Sequence, residues 1–333
     1  MSDDERYARF HQGGRWQGLP VQVRDDAAPH FEPVTARVFR REPAAGETTD
    51  TLPTDAPDIL MFGVPNTGMM AGQPTNVFLL GYVDQGGPLM LVDTGDHGSE
   101  QALLDAIAAS GIDLPRITRI VLTHCHPDHV GNATMLKQAT GAPVWAHPLE
   151  RAQIAHFAKG LVVDHWIEDG ETIEGDGFAV ETIFTPGHSP GHVCIVEPRS
   201  RVLIAGDMIS GFGSVGIFPP NGSMRQYMDS LRRLLAADEI APFSLTCPGH
   251  GPVIPATRAK IEEYIEHRQT RETEVYDAVV GGAATLKELL PIIYPGILDH
   301  LSFAARSTLQ ANLDKLVEDG RLTRDGDRYT TQG

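Results

Sequence analysis

The part of this chain that most constrains its fold is the six-residue segment His124–His129, which follows the apolar run 120–122. It contains three histidines and one aspartate, and these side chains are ligands that zinc, iron and manganese accept. The apolar run predicts a buried strand, so the ligands lie on the loop at its carboxyl end. A tight turn through Pro127 would direct the first two histidines to one side and Asp128 with His129 to the other. This arrangement suits two adjacent metal ions better than one.

Three more candidate ligands follow largely apolar runs further along the chain. Each has a glycine beside it, which lets the backbone approach closely at a crowded site. They are His188 after 180–184, Asp207 after 201–204 and His250 after 243–246. A single histidine of this kind is usually structural. The repeated pattern of strand and ligand instead predicts that these side chains complete the site begun by His124–His129.

Strand-like and helix-like segments alternate in two successive halves of the region 58–256. This alternation predicts a layered α/β architecture with sheets inside and helices outside. Residues 1–57 are rich in Pro, Gly, Asp and Arg and contain one strand-like piece, 34–39. We expect them to form an amino-terminal extension that is loose in part or wraps the main domain, with plain terminal disorder as the alternative.

The pattern changes near Pro255. A long helical pattern covers 260–280, a second helix is predicted around 307–316, and the segment 322–330 is typical of a hairpin that turns at Asp325-Gly326. Helices followed by a hairpin outline a small winged-helix module over residues 257–333.

Together these residues resemble the metallo-β-lactamase-fold superfamily over about residues 58–256. The motifs that carry the resemblance are Leu91-Val92-Asp93-Thr94-Gly95, His124–His129, His188, Asp207 and His250. The resemblance implies an αββα sandwich with a binuclear metal site at one edge, most simply a zinc site, with iron and manganese as alternatives.

The resemblance also implies a role for each matching residue. The first ion would be held by His124, His126 and His188. The second ion would be held by Asp128, His129 and His250. Asp207 would bridge the two ions, and Asp93 would orient a ligand histidine.

Departures from particular branches of the superfamily narrow the expected chemistry. The diiron flavoproteins of this fold carry a Glu at the position of His126, which argues against that redox branch. The true β-lactamases lack a bridging carboxylate at the position of Asp207 and are normally exported. The persulfide dioxygenases share much of the motif but use one iron held by two histidines and a carboxylate, and they stay an alternative.

The carboxyl-terminal third is similar to one subgroup, the β-lactamase-like protein 2 group, which also ends in a winged-helix-like domain. The similar segments are Arg225–Leu231, Pro248–Ile254, Glu266-His267-Arg268 and Arg271-Glu272. This similarity implies either cleavage of single-stranded RNA or, as in biosynthetic relatives, thioester hydrolysis.

The net charge of −17 weighs against a nucleic-acid partner, because non-specific affinity for phosphate backbones comes mainly from Lys and Arg. Residues 257–333 carry ten Lys and Arg against thirteen Asp and Glu, so the expected winged-helix module lacks a clear basic stripe. We therefore expect this module to form a wall of the active site or the contact of a homodimer.

Cysteine usage favours a reducing compartment. The three cysteines, Cys125, Cys194 and Cys247, have no CxxC spacing, and the acidic amino terminus has no apolar segment behind it, which together suit the cytoplasm. We expect each cysteine to be a small buried hydrophobe. No apolar window approaches the roughly 20 residues of a membrane helix, so no membrane partner is expected.

These features predict a binuclear metal-dependent hydrolase of an ester or thioester. Two divalent ions about 3.5–4 Å apart lower the pKa of a shared water, and Asp128 would orient that water, receive its proton, or serve as a ligand only. The loop 211–220 would offer an apolar wall to an acyl chain, so a small-molecule acyl substrate is favoured over RNA. Ser223 and Tyr227 are expected near the substrate, with Tyr227 as a packing aromatic or a proton donor.

A non-catalytic scaffold that binds a partner is the third hypothesis for the function, and the complete ligand set argues against it.

Overall fold

Two β-sheets packed face to face form the centre of the protein. The computed structural model describes residues 56–66, 73–297 and 301–331, together with the backbone of the strand at 34–37. The strand predicted at 34–39 is present there. The rest of the expected amino-terminal extension lies outside the described residues.

The first sheet has seven strands in the order β1 to β7. Their bounds are Val34–Arg37, Asp58–Val64, Thr75–Gly81, Leu89–Val92, Ile117–Val121, Val144–Ala146 and His165–Trp166. Neighbours are antiparallel from β1 to β4 and parallel from β4 to β7. Four helices lie between β4 and β7, as parallel crossovers require. They are α1 (Glu100–Ala109), α2 (Pro127–Val130), α3 (Ala133–Thr140) and α4 (Arg151–Phe157).

The second sheet has five strands in the order β12-β11-β10-β9-β8. Their bounds in chain order are Thr172–Glu174, Ala179–Phe184, Val193–Glu197, Val202–Gly206 and Leu245–Pro248. Only β11 and β12 pair in parallel. Two helices, α5 (Met224–Ile240) and α6 (Thr257–Val280), pack on its outer face.

Besides the apolar layer beneath α5 and α6, two further apolar layers hold these elements together. The inner faces of the sheets meet in a cluster that includes Phe78, Val92 and Ile204. The outer face of the first sheet packs on α1, α3 and α4 through residues such as Leu103 and Leu136. Because β4, β10 and β11 are covered on both faces, they form continuous apolar runs rather than alternating ones. The predicted αββα sandwich is confirmed.

The carboxyl-terminal winged helix is also confirmed. It consists of the end of α6, α7 (Leu286–Ile293), α8 (Ser302–Glu318) and the hairpin of β13 (Leu322–Asp325) and β14 (Arg328–Thr331). Its own core contains Val275, Leu289, Leu313 and Tyr329. A capping box of Thr285 and Glu288 begins α7. The hairpin turns at Gly326, as the sequence predicts.

The main local error concerns Pro127, where a tight turn is expected but helix α2 begins. Proline suits the first turn of a helix because its missing N–H has no intrahelical partner there. The short strands β7 and β8 are also absent from the sequence prediction, since two or three residues are too few to show a period. Within the described ranges, no helix is long and apolar enough to cross a bilayer.

Candidate metal centre

The carboxyl ends of five strands meet at one edge of the sandwich. In the first sheet β4 and β5 are parallel, and in the second sheet β9, β11 and β12 share one direction because β10 is antiparallel to its neighbours. The residues that follow these strand ends are Asp93, His124, His188, Asp207 and His250. The repeated pattern of strand and ligand therefore has a topological basis, and ligands commonly bind at the carboxyl ends of strands.

The first donor set is His124, His126, His188 and Asp207, whose ligand atoms all lie within 4.8 Å of one another. His126 Nδ1 lies 2.8 Å from His188 Nε2 and 3.1 Å from His124 Nε2. Asp207 Oδ2 lies 3.4 Å from His188 Nε2. Three imidazoles and a carboxylate form a donor set suited to tetrahedral zinc.

The second donor set is Asp128, His129 and His250. Asp128 Oδ2 lies 3.2 Å from His250 Nε2 and 3.7 Å from His129 Nε2. Asp207 reaches this set as well, with Oδ1 3.4 Å from His129 Nε2 and Oδ2 3.5 Å from His250 Nε2. One carboxylate thus contacts both sets.

Three ligand atoms in this centre are buried without a hydrogen-bond partner, namely His129 Nε2, Asp207 Oδ1 and His250 Nε2. Buried polar atoms in folded proteins are normally paired, so these atoms require a further partner. Two divalent metal ions would supply it. The nitrogen and oxygen donors fit zinc, and they are also compatible with iron or manganese.

The protonation of the first set suits metal binding. Burial lowers the pKa of His124 and His126, and burial together with His126 lowers the pKa of His188 to about 3. These rings are therefore neutral at pH 7, and each keeps a lone pair for a metal ion.

The second set behaves differently. Burial opposes protonation of His129 and His250, but the carboxylates of Asp207 and Asp128 outweigh it and raise both pKa values, that of His250 to about 10. Burial likewise opposes ionisation of the two carboxyl groups, yet these imidazoles hold the pKa of each well below its usual range. In the metal-free protein, protons on the histidines balance the carboxylate charges.

Asp93 contacts one ligand of each donor set, His129 directly and His124 through Thr123. Its Oδ2 accepts hydrogen bonds from His129 Nδ1 at 2.7 Å and from Thr123 Oγ1 at 2.8 Å. The same threonine oxygen lies 3.0 Å from His124 Nδ1. Asp93 thus orients one ligand directly and a second through Thr123, leaving the opposite ring nitrogens for metal.

Backbone carbonyls orient two further ligands. His188 Nδ1 lies 2.9 Å from the carbonyl of Gly216, and His250 Nδ1 lies 3.1 Å from that of Pro74.

Two polar side chains hold Asp128: its Oδ2 accepts hydrogen bonds from Asn66 Nδ2 at 2.8 Å and from Thr75 Oγ1 at 3.1 Å. The sequence prediction omits Asn66 and Thr75, because amide and hydroxyl side chains carry no metal-ligand signal.

The sequence prediction missed His192, which contacts the backbone of the candidate ligand Asp207. It is fully buried, its Nε2 accepts the backbone N–H of Asp207 at 3.1 Å, and its Nδ1 lies 2.9 Å from Thr185 Oγ1. Burial and His188 lower its pKa, so the ring is neutral. It positions the shared carboxylate. The available signal was a second Gly-His pair, Gly191-His192, four residues after His188.

The residues expected near the substrate have other tasks. Tyr227 is buried, its hydroxyl donates to the carbonyl of Met208 at 2.7 Å, and burial raises its pKa, so it is a packing aromatic. Ser223 caps α5 by accepting the N–H of Gln226. In the loop 211–220, Val215 and Ile217 turn into the core, and Phe218 lies beside the ring of His126.

Known proteins resemble this chain over most of its length. The metallo-β-lactamase superfamily profile matches residues 70–242, and the β-lactamase-associated winged helix profile matches residues 285–330. A β-lactamase-like protein 2 homolog of Caenorhabditis elegans is 30% identical, with 77% of this chain and 82% of that protein covered. An atrochrysone carboxyl ACP thioesterase of Aspergillus fumigatus is 30% identical, with 69% and 71% covered. The solved structure of a metallo-β-lactamase family protein from Thermus thermophilus is 25% identical, with coverage of 82% and 98% and a TM-score of 0.67.

Proposed function

The chain belongs to the metallo-β-lactamase superfamily of metal-dependent hydrolases, and on that premise we propose that it hydrolyses the ester or thioester bond of a small acyl substrate with two zinc ions. The observation that carries this proposal is the contact of Asp207 with both donor sets. A single iron in the first set would leave two buried atoms of the second set, His129 Nε2 and His250 Nε2, without a partner. This favours hydrolysis over persulfide oxidation.

The residues of the centre have separate proposed roles in the reaction. His124, His126 and His188 would hold one ion, Asp128, His129 and His250 the other, and Asp207 both. Two divalent ions bound there would supply a hydroxide nucleophile at neutral pH and polarise the carbonyl group under attack. Asn66 and Thr75 hold Asp128 in place, so that its carboxylate orients the attacking water or accepts its proton.

The surroundings of the centre support an acyl group over a phosphodiester. The ring of Phe218 lies 6.3 Å from that of His126, between centroids, and supplies an apolar surface beside the first donor set. Among the described residues, Asp128 and Asp207 have histidines, not Lys or Arg, as ion-pair partners. A similar protein is named as a carboxyl ACP thioesterase.

All three cysteines are free and buried, which supports a reducing compartment such as the cytoplasm.

One assay panel on the purified protein tests the proposal. Acyl thioesters, lactones, single-stranded RNA and a persulfide would be compared with and without chelator, beside measurement of bound metal. We expect chelator-sensitive thioester or lactone hydrolysis. RNA cleavage at low enzyme concentration without acyl turnover, oxygen uptake with the persulfide, or no turnover at all would overturn the proposal.

A further inference from the structure

An aromatic pair connects the metal centre with the winged-helix module. Phe218 follows β11 on the loop 211–220 and lies edge-on to the ring of His126. Phe303, in the first turn of α8, stacks on Phe218 with a centroid distance of 5.9 Å and an interplanar angle of 18°. The two rings extend from a metal-ligand histidine out to the surface of the module.

The outer end of this pair is apolar and open. Phe303 keeps 59% of its surface exposed, and nearby Leu301 keeps 39%. Exposed apolar side chains are common singly, but Phe303 stacks on a ring that borders the metal centre. The contact of Phe303 with Phe218, rather than exposure alone, indicates what covers this side chain.

Hydrogen bonds hold the loop that carries Phe218. The N–H of Ile217 donates to Thr308 Oγ1 on α8 at 3.2 Å, and the carbonyl of Gly216 accepts from His188 Nδ1. Arg268 Nη2 on α6 donates to the carbonyl of Val215. The loop is therefore tied to a metal ligand and to the helices of the module, so the aromatic surface is ordered before substrate arrives. A preformed surface loses less entropy on binding.

We propose that Phe218 and Phe303 bind the acyl group of the substrate, and that Phe303 makes the enzyme selective for extended apolar acyl groups. This inference rests on the proposed function, because the acyl carbonyl must lie at the metal pair. From that point an acyl group passes Phe218 first and reaches Phe303 only if it is long or contains fused rings. A two-carbon acetyl group ends before Phe303. The winged-helix module thus acts as a selectivity wall through one side chain.

The test is a comparison of N-acetylcysteamine thioesters carrying acetyl, octanoyl and naphthoyl groups. The quantity measured is the ratio of kcat/KM for the better extended substrate to kcat/KM for the acetyl thioester. We expect Phe303→Ala to lower this ratio about tenfold, mainly through KM, because part of an apolar contact is lost. Phe303→Leu should recover part of the ratio.

Ile292→Ala is the matched control, since Ile292 is an equally exposed apolar residue, at 56%, on α7 of the same module. It should leave the ratio unchanged. Because Phe303 is largely exposed, its variants should melt close to wild type. If wild type hydrolysed acyl thioesters but Phe303→Ala left the ratio unchanged, the inference alone would be wrong. If wild type hydrolysed none, the proposed function would fail, and the inference with it.

Discussion

At the scale of single residues, the centre depends on how closely Asp207 is packed. Its backbone N–H is held by His192, and both carboxylate oxygens contact histidines of the second set. A Cβ atom at Gly249 would overlap Asp207 Oδ1 and crowd the ring of His129. Glycine beside the ligand is therefore a steric requirement, because any larger residue would displace the shared carboxylate.

Asp128→Asn should abolish turnover and leave the fold intact. The amide is nearly isosteric, but it cannot carry the negative charge that balances His129 and His250 or accept a proton from water. We expect kcat to fall by about 100-fold or more, in line with the loss of a ligand or its close partner. Steady-state kinetics and circular dichroism would check this. Asp105→Asn, at an exposed position of α1, is the control, and full activity in the Asp128 variant would disprove the binuclear hydrolase.

The pH dependence of metal binding should differ between the two donor sets. His250, with a pKa near 10, must lose a proton to bind metal at pH 7, whereas His188, with a pKa of about 3, has none to lose. Affinity at the second set should rise by about tenfold per pH unit per released proton between pH 7 and 10, and affinity at the first set should stay nearly constant. Calorimetry in buffers of different ionisation enthalpy counts the protons. Equal pH dependence of both sites would contradict these protonation states.

The raised pKa of His250 also predicts how the stability of the metal-free protein changes with pH. The folded pKa of His250 lies above the value near 6.5 of an unfolded chain, so its ion pairs contribute fully below about pH 6.5. That contribution is lost as the pH rises through about 10. Melting temperatures of the chelated protein should therefore fall between pH 7 and pH 10, and His250→Gln should flatten this decline.

At the scale of elements, the loop between β9 and β10 is fixed by helix α5. Gly187 has φ +129, and a Cβ there would overlap the backbone of Tyr227 at the start of α5. The N–H of Ser223 also donates to the carbonyl of Gly187 at 2.8 Å. The position of His188 therefore depends on how this helix packs.

Gly187→Ala should weaken both the fold and the metal site. Overpacking of this kind costs about 1–3 kcal/mol, and displacement of His188 should lower metal affinity as well. Gly160→Ala is the control for backbone strain, since Gly160 also has positive φ, +82, but open space around it. Urea unfolding and metal titration would compare the two variants. Equal losses in both would show that strain alone, and not contact with α5, matters.

The elements also show where sequence-based prediction succeeds and where it fails. Buried strands such as β4 and β11 are evident from continuous apolar runs, and each is followed by an aspartate of the site, Asp93 and Asp207 respectively. Positioning residues such as Thr123 and Asn66 are not evident, because their role arises from contacts with residues far away in the sequence, Asp93 and Asp128. The direction of a side chain in a loop, as for Val215 and Phe218, is likewise set by packing against α5 and α8.

At the scale of the whole molecule, the metal centre joins the two halves of the sandwich. His124–His129 follow the first sheet, whereas His188, Asp207 and His250 follow the second, so bound ions would cross-link the sheets. Three titratable ligands of the second half are buried at the junction. Metal binding should therefore contribute to the stability of the entire domain.

Chelation should lower the melting temperature in a manner that depends on free metal concentration. At free zinc 100-fold above the dissociation constant, each site stabilises the folded state by about 2.7 kcal/mol. Scanning calorimetry of chelated and zinc-loaded protein would measure the shift, with His165→Asn, outside the centre, as the control. A melting temperature independent of zinc would show that the donor sets hold no ion in the folded protein.

The central claim, that two metal ions act together in hydrolysis, is tested most directly by titrating metal-free protein with zinc while following acyl-thioester hydrolysis. We predict that activity rises until two equivalents are bound per chain and that Asp207→Asn prevents this rise. Full activity at one equivalent, or activity without added metal, would contradict a binuclear centre.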